Sequence, residues 1–283
     1  KQHIEELIDF GDLPVFKGAT TYPCIITVLA GKASSTFDVA QVKSLDFPDL
    51  AAYVEENHYP VNKEELDDSG WSLAGGGVQE LLSKLKEEGV PLGEYVQGKI
   101  YYGIKTGLNK AFVIDAETRE KLITEDPKSE EIIKPFLAGR DVKRYQPLDK
   151  KQYLILFMKG ITNQKASDYR NKWRWMEEQY PVIAQHLKPF EAEAQKRCDK
   201  GDFWWELRAC DYYKEFEKPK IIIPAIVRSA SYAFDKEGFY SNDKTSIIPT
   251  DDPYLLGILN SKVSDVIIYN ISSTKQGGYY EYK

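Results

Sequence analysis

Apolar and polar positions along the chain change texture twice. The run Tyr22-Pro23-Cys24-Ile25-Ile26-Thr27-Val28-Leu29 is apolar and rich in β-branched residues, which predicts a buried strand. Phe37-Asp38-Val39-Ala40-Gln41-Val42 predicts a second strand, and residues 3–10 read as a short helix end. Two such strands cannot fold alone, because isolated hairpins are marginal in water. Residues 45–76 are acidic and turn-rich, a connector with one or two short helices. Val78, Leu81, Leu82 and Leu85 then recur at helical spacing until Gly89 stops the helix.

From about residue 94 short segments rich in Tyr, Phe, Ile and Val alternate with Gly, Pro, Asn and Asp turns. Strands are expected at 98–104, 111–115, 153–157, 220–226, 232–235 and 245–249, and helices at 117–123, 128–136, 166–178, 180–197 and 253–261. The expectation is an α+β domain over 94–283, with a mainly antiparallel curved sheet and flanking helices. It follows an N-terminal segment, 1–45, and a connector, 46–93.

Charge sharpens this division. The net charge of −6 argues at first against a nucleic-acid partner. Residues 1–100, however, hold 8 Lys, no Arg and 17 acidic residues, whereas residues 101–283 hold 30 basic and 27 acidic ones. All 8 arginines lie at or beyond Arg119, and Arg is suited to bidentate contact with guanine edges and phosphates. The 3 cysteines show no CxxC spacing and the 3 histidines are scattered, so neither a disulfide framework nor a metal site is expected. A reducing cytoplasm is the plain reading. No run of about 18 apolar residues exists to span a bilayer. The missing initiator Met and the lack of an apolar signal core suggest a piece of a longer protein.

Several constellations carry possible chemistry, each with an ordinary structural alternative. Gly103-Ile104-Lys105-Thr106-Gly107-Leu108-Asn109 is either a loop gripping a DNA backbone or base, with Lys105, Thr106 and Asn109 as donors, or a simple turn. Arg140, Lys143 and Arg144 follow a predicted helix end. They would meet phosphates or simply favour the helix dipole. Trp173-Arg174-Trp175 and Phe203-Trp204-Trp205-Glu206-Leu207-Arg208 would stack on bases or build core. The strand ending in Arg228-Ser229 suits base-edge readout, with Asn242-Asp243-Lys244-Thr245 opening the next strand nearby; a buried ion pair is the alternative. Ser272 to Tyr279, with Lys275, describes an exposed loop fit for a groove. Serine-hydrolase, zincin, kinase, P-loop and Rossmann patterns are absent. Glu206, or Glu281 with Lys283, fits a nuclease core only at a spacing too common to count.

Read in order, these segments resemble a known family. Asp9-Phe10-Gly11 with Val15-Phe16-Lys17-Gly18-Ala19-Thr20-Thr21-Tyr22-Pro23-Cys24-Ile25 resembles the terminal strands of the N6-adenine methyltransferase domain of type IIG restriction–modification enzymes. Gly103–Asn109, Ile133–Asp141, Trp204–Arg208 and Lys218–Ile221 resemble the specificity region that follows. Tyr254-Leu255-Leu256-Gly257-Ile258-Leu259-Asn260-Ser261-Lys262 after Ser241-Asn242 is similar to the TaqI-like C-terminal specificity domain. The resemblance implies a phage-defence protein that binds duplex DNA, flips an adenine and methylates its N6 from S-adenosylmethionine. Many members also cleave, which would require Mg. The family's cofactor glycine motif and Asn-Pro-Pro-Tyr tetrapeptide are missing here, so no catalytic residue is assigned. Both are expected upstream, in a methyltransferase domain of the same chain.

The expectation is therefore sequence-specific duplex DNA recognition through residues 94–283. Its contacts would be Lys105, Thr106, Asn109, Arg140, Lys143, Arg228, Ser229, Lys244 and Lys275. No metal, cofactor or membrane is expected of these residues. Two alternatives stay open: a protein-interaction module whose acidic first hundred residues dock a phage-defence partner, and a metal-dependent nuclease.

Overall fold

The computed structural model describes residues 2–31, 34–66, 71–275 and 277–281. In chain order its elements begin with β1 (Gln2–Asp9), β2 (Cys24–Ala30), β3 (Thr36–Gln41), α1 (Leu50–Asn57) and β4 (Tyr59–Asn62). There follow α2 (Gly76–Glu88), α3 (Leu92–Tyr95), β5 (Tyr101–Tyr102), α4 (Asn109–Phe112), β6 (Val113–Asp115) and α5 (Ala116–Glu125). Next are β7 (Ile133–Leu137), β8 (Gln152–Ile155), α6 (Ile161–Lys165), α7 (Lys172–Gln179), α8 (Pro181–Leu187) and α9 (Glu191–Ala194). The chain continues through β9 (Lys220–Pro224), β10 (Ile226–Val227), β11 (Ala233–Asp235), β12 (Tyr240–Ser241) and β13 (Thr245–Pro249). It ends with α10 (Pro253–Leu259), α11 (Lys262–Ile271), β14 (Ser273–Lys275) and β15 (Tyr279–Glu281). These elements form two compact units. One comprises 1–95, 226–230 and 258–283; the other comprises 96–225 and 231–257.

The first unit holds a sheet in the order β2-β1-β3-β4 and a small antiparallel sheet, β10-β15-β14. Residues 3–10, expected to be helical, are strand β1 instead. It runs antiparallel to β2 and parallel to β3, so pairing on both sides supplies hydrogen bonds that a single helical turn cannot. Leu7, Phe37, Val39 and Val61 are buried on one face, and Ile8, Ala40 and Val54 on the other. Strand β2 also corrects an expectation. It is an edge strand of the sheet, and Ile25, Ile26, Val28 and Leu29 are 43–49% exposed rather than buried.

The second unit is α+β, with two four-stranded sheets rather than one. In the order β11-β9-β13-β5 every pair is antiparallel; in β12-β7-β8-β6 only β12 and β7 run parallel. The apolar run of β9 is buried throughout, with Ile222 and Ile247 packing from facing positions of β9 and β13. Residues 128–136 were expected as one helix. A 3-10 turn over Pro127–Ile132 gives way there to β7, because Ile132-Ile133 is β-branched and Pro135 cannot sit inside a helix. Of the helix expected over 166–178 only 172–178 is helical, within α7, since α6 ends before that span at Lys165; the next expected helix is interrupted by a 3-10 turn at Lys188–Phe190 around Pro189. Residues 109–112 form the short helix α4 ahead of β6, and α11 was not anticipated.

The four tryptophans of the second unit belong to its core. Trp173 stacks on Trp204 at 4.7 Å, and Trp175, Trp204 and Trp205 are buried. Glu206 is fully buried. Its carboxylate accepts from the amides of Gly160, Thr162 and Asp202 at 2.8–3.2 Å, which removes it as a metal ligand. Lys220 and Asp235, both fully buried, pair with each other; burial pulls the lysine below its ordinary range.

Candidate nucleic-acid interface

Three turns of the second unit interlock around Asn242. The backbone of Gly103 donates to Thr245 at 2.9 Å, Ile104 to Ser241 at 2.6 Å, and Asn242 to Leu137 at 3.1 Å. The Asn242 side chain completes the junction, its Oδ1 accepting from Gly139 N at 3.3 Å and Lys244 N at 3.2 Å. Two glycines make this approach possible. A Cβ on Gly103 would lie 1.8 Å from the Asn242 carbonyl oxygen, and one on Gly139 would lie 2.7 Å from that of Lys244.

The interlock brings Lys105, Arg140 and Lys244 onto neighbouring turns, with Lys143 following Arg140. Arg140 stands in a 3-10 turn, Gly139–Asp141, with its side chain 81% exposed. Its carboxylate neighbour is the adjacent Asp141, at 4.0 Å. Lys143 and Lys244 are exposed and have no carboxylate partner among the described residues. The Arg144 amide donates to Ser231 Oγ at 3.2 Å, tying down the end of the turn.

The loop from Gly103 to Asn109 is held more tightly. Thr106 is buried, and its hydroxyl donates to Asn109 Oδ1 at 2.5 Å while accepting from Leu108 N. The structure thus consumes the Thr106 hydroxyl inside the turn and leaves it unable to touch a ligand. Asn109 is exposed at the start of α4, with its amide oxygen taken by Thr106. Lys105 pairs with Asp199 at 3.0 Å, and Arg208 reaches the same carboxylate at 3.5 Å. Beneath them the buried Arg197 guanidinium donates to the carbonyls of Thr106, Asp199, Trp204 and Glu206. Burial pulls its pKa down to about 10.

The remaining expected residues belong to the first unit. Arg228 is exposed at the end of β10, its guanidinium 4.7 Å from the Tyr279 ring centroid, a cation–π contact rather than a buried ion pair. Ser229 is half-buried beside it, and the next amide, Ala230 N, donates to Asp265 Oδ1 at 2.6 Å. Lys275 on β14 pairs with Glu281 on β15 at 2.6 Å, a hydrogen bond that holds its pKa above the usual lysine range. The amides of Gly277 and Gly278 both donate to Asp12 Oδ2 at 3.1 Å. Among the described residues no cluster of three or more His, Cys, Asp or Glu could hold a metal.

Residues 134–283 match the family model of the TaqI-like C-terminal specificity domain. The chain belongs to that family. Six of the nine expected contacts of this specificity domain, from Arg140 to Lys275, lie inside the matched span, whereas Lys105, Thr106 and Asn109 precede it. The chain is also 23% identical to the type II methyltransferase M.PaeR7I of Pseudomonas aeruginosa, covering 99% of this chain and 49% of that protein. It therefore spans about half the length of that relative. In fold it is similar to the type IIL restriction–modification enzyme MmeI, solved in complex with DNA. The TM-score is 0.56 at 14% identity, over 100% of this chain and 34% of that one.

Asn242, Arg197 and Tyr279 escaped the choice of site residues. Asn242 carried a signal in its Asn-Asp-Lys-Thr turn, since Asn side chains commonly bond the backbone two residues on. Nothing local marks Arg197, whose partners lie up to 91 positions away.

Proposed function

We propose that this chain reads duplex DNA for a restriction–modification methyltransferase, with the interlocked turns of the second unit lying against the helix. The observation that carries the reading is the junction itself. It gathers Arg140, Lys143 and Lys244, exposed and free of carboxylates from other elements, onto backbone too tightly packed to drift. Cations fixed on rigid turns meet phosphates and guanine edges at low conformational cost. Arg228, held flat on Tyr279, is proposed as a further contact from the first unit, with Ser229 and Lys275 near it in sequence or sheet. Lys105 and Asn109 serve as supporting contacts.

Methyl transfer to an adenine that this surface positions is assigned to a methyltransferase domain outside these residues. S-adenosylmethionine does not fit the residues present. Gly75–Gly77 opens α2 with no strand directly before it, so this glycine run does not form a strand–turn–helix cradle, and no step is derived through the cofactor. The same holds for Mg-dependent cleavage. The exposed Ile25, Ile26, Val28 and Leu29 of the edge strand β2 suit coverage by that domain, with residues 1–45 as its terminal strands and 46–93 as connector. No helix among the described residues is long and apolar enough to cross a membrane; the cytoplasm, where its DNA lies, is the proposed setting.

Fluorescence anisotropy with a labelled duplex tests the reading. Binding should weaken by orders of magnitude between about 50 and 200 mM salt, as phosphate neutralisation releases counterions. Absence of binding at low salt, or binding indifferent to salt, contradicts it. Arg228→Ala then sorts that residue. Loss confined to one target sequence marks a base reader, and equal loss on all sequences a phosphate contact.

A further inference from the structure

Most lysines of the second unit sit against a carboxylate, including Lys105, Lys110, Lys150, Lys159 and Lys218. Lys165 and Lys214 do not; no carboxylate partners them among the described residues, and both line one cavity of about 210 Å³. We propose that this cavity binds a small organic anion carried on a flat ring.

Its buried lining is apolar and aromatic, made from Phe157 just past β8, Trp175 of α7 and Tyr213. Its rim is charged. Lys134, Lys165 and Lys214 bring three amino groups against two carboxylates, and both carboxylates are already engaged. Glu131 accepts the hydroxyl of Tyr180, while Glu217 accepts that of Tyr240 at 3.2 Å and lies 3.7 Å from Lys134. Lys165 and Lys214 are thus left to an anion, and the buried lining offers aromatic and apolar surface to a ring. The volume lies below the roughly 300–1,000 Å³ of drug-sized sites, which limits the ligand to one ring system with its acid group.

None of the proposed DNA contacts lines the cavity. It opens where β7 begins, at Ile132 and Lys134, and Arg140 follows where β7 ends. Five strand residues at about 3.3 Å each place some 15 Å between them. The proposal does not depend on the DNA reading.

Calorimetric titration of the 283-residue chain with phenyl phosphate, benzoate and inorganic phosphate tests it. One ring-bearing anion should bind saturably, at least tenfold more tightly than inorganic phosphate; which one does so separates aryl phosphates from aromatic carboxylates. Lys165→Glu with Lys214→Glu should weaken it at least tenfold, and so should Met158→Trp, which adds bulk to the lining without altering charge. Arg140→Ala with Lys244→Ala should leave it unchanged. No saturation by either ring anion at about 10 mM, equal affinity for phosphate, or indifference to both cavity variants overturns the proposal.

Discussion

The two glycine-bearing turns that meet at Asn242 look alike in composition and differ in what they do with their polar groups. In the turn from Gly103 to Asn109, the Thr106 hydroxyl goes to Asn109, the Thr106 carbonyl to Arg197, and the Lys105 ammonium to Asp199. In the turn after Gly139, the Gly139 backbone meets the Asn242 side chain and the Lys244 carbonyl, Asp141 caps the Ala138 amide and Val142 is buried, while the cations are exposed. The first turn spends its chemistry on being rigid. The second borrows rigidity from its neighbours and keeps its chemistry free for a ligand.

Substitutions can break or sharpen that contrast. The largest effect is expected from Arg197→Met. It strands several buried carbonyls, so it should cost about 3 kcal/mol in denaturant unfolding, while the folded protein's affinity for DNA stays within about threefold. Gly139→Ala is next, at about 2 kcal/mol, from forcing a methyl group against the Lys244 carbonyl. Because it displaces Arg140, it should also weaken DNA binding measured by anisotropy, which Arg197→Met should not. Thr106→Val is the mildest. Loss of a buried hydroxyl should lower stability by about 1 kcal/mol and leave DNA affinity intact. A DNA defect in Thr106→Val without loss of stability would erase the distinction between the turns.

Sequence made the second unit legible where pattern is local. The buried run Lys220–Pro224, the strand Thr245–Pro249 and the helix at Pro253–Leu259 follow from periodicity and turn residues. It misled where pairing partners are remote. Residues 3–10 look helical until two strands flank them, and Ile133–Leu137 looks like a helix end until β8 and β12 bracket it. The basic residues after Gly139 could be found by type and spacing. That Thr106 is buried and Arg140 is not depends on Arg197 and Asn242, whose bonds cross about a hundred positions and leave no local mark.

The exposed cations of the Asn242 junction are proposed to lie on DNA phosphates or bases. The decisive experiment is the salt dependence of duplex binding for the unmodified chain and for Arg140→Ala with Lys244→Ala. Both positions are exposed, so the thermal midpoint should stay within about 2 °C. The slope of log affinity against log salt should fall by about 2, near 0.9 for each phosphate that is no longer neutralised, with at least tenfold weaker binding at low salt. An unchanged slope and affinity in a folded double variant would contradict the account.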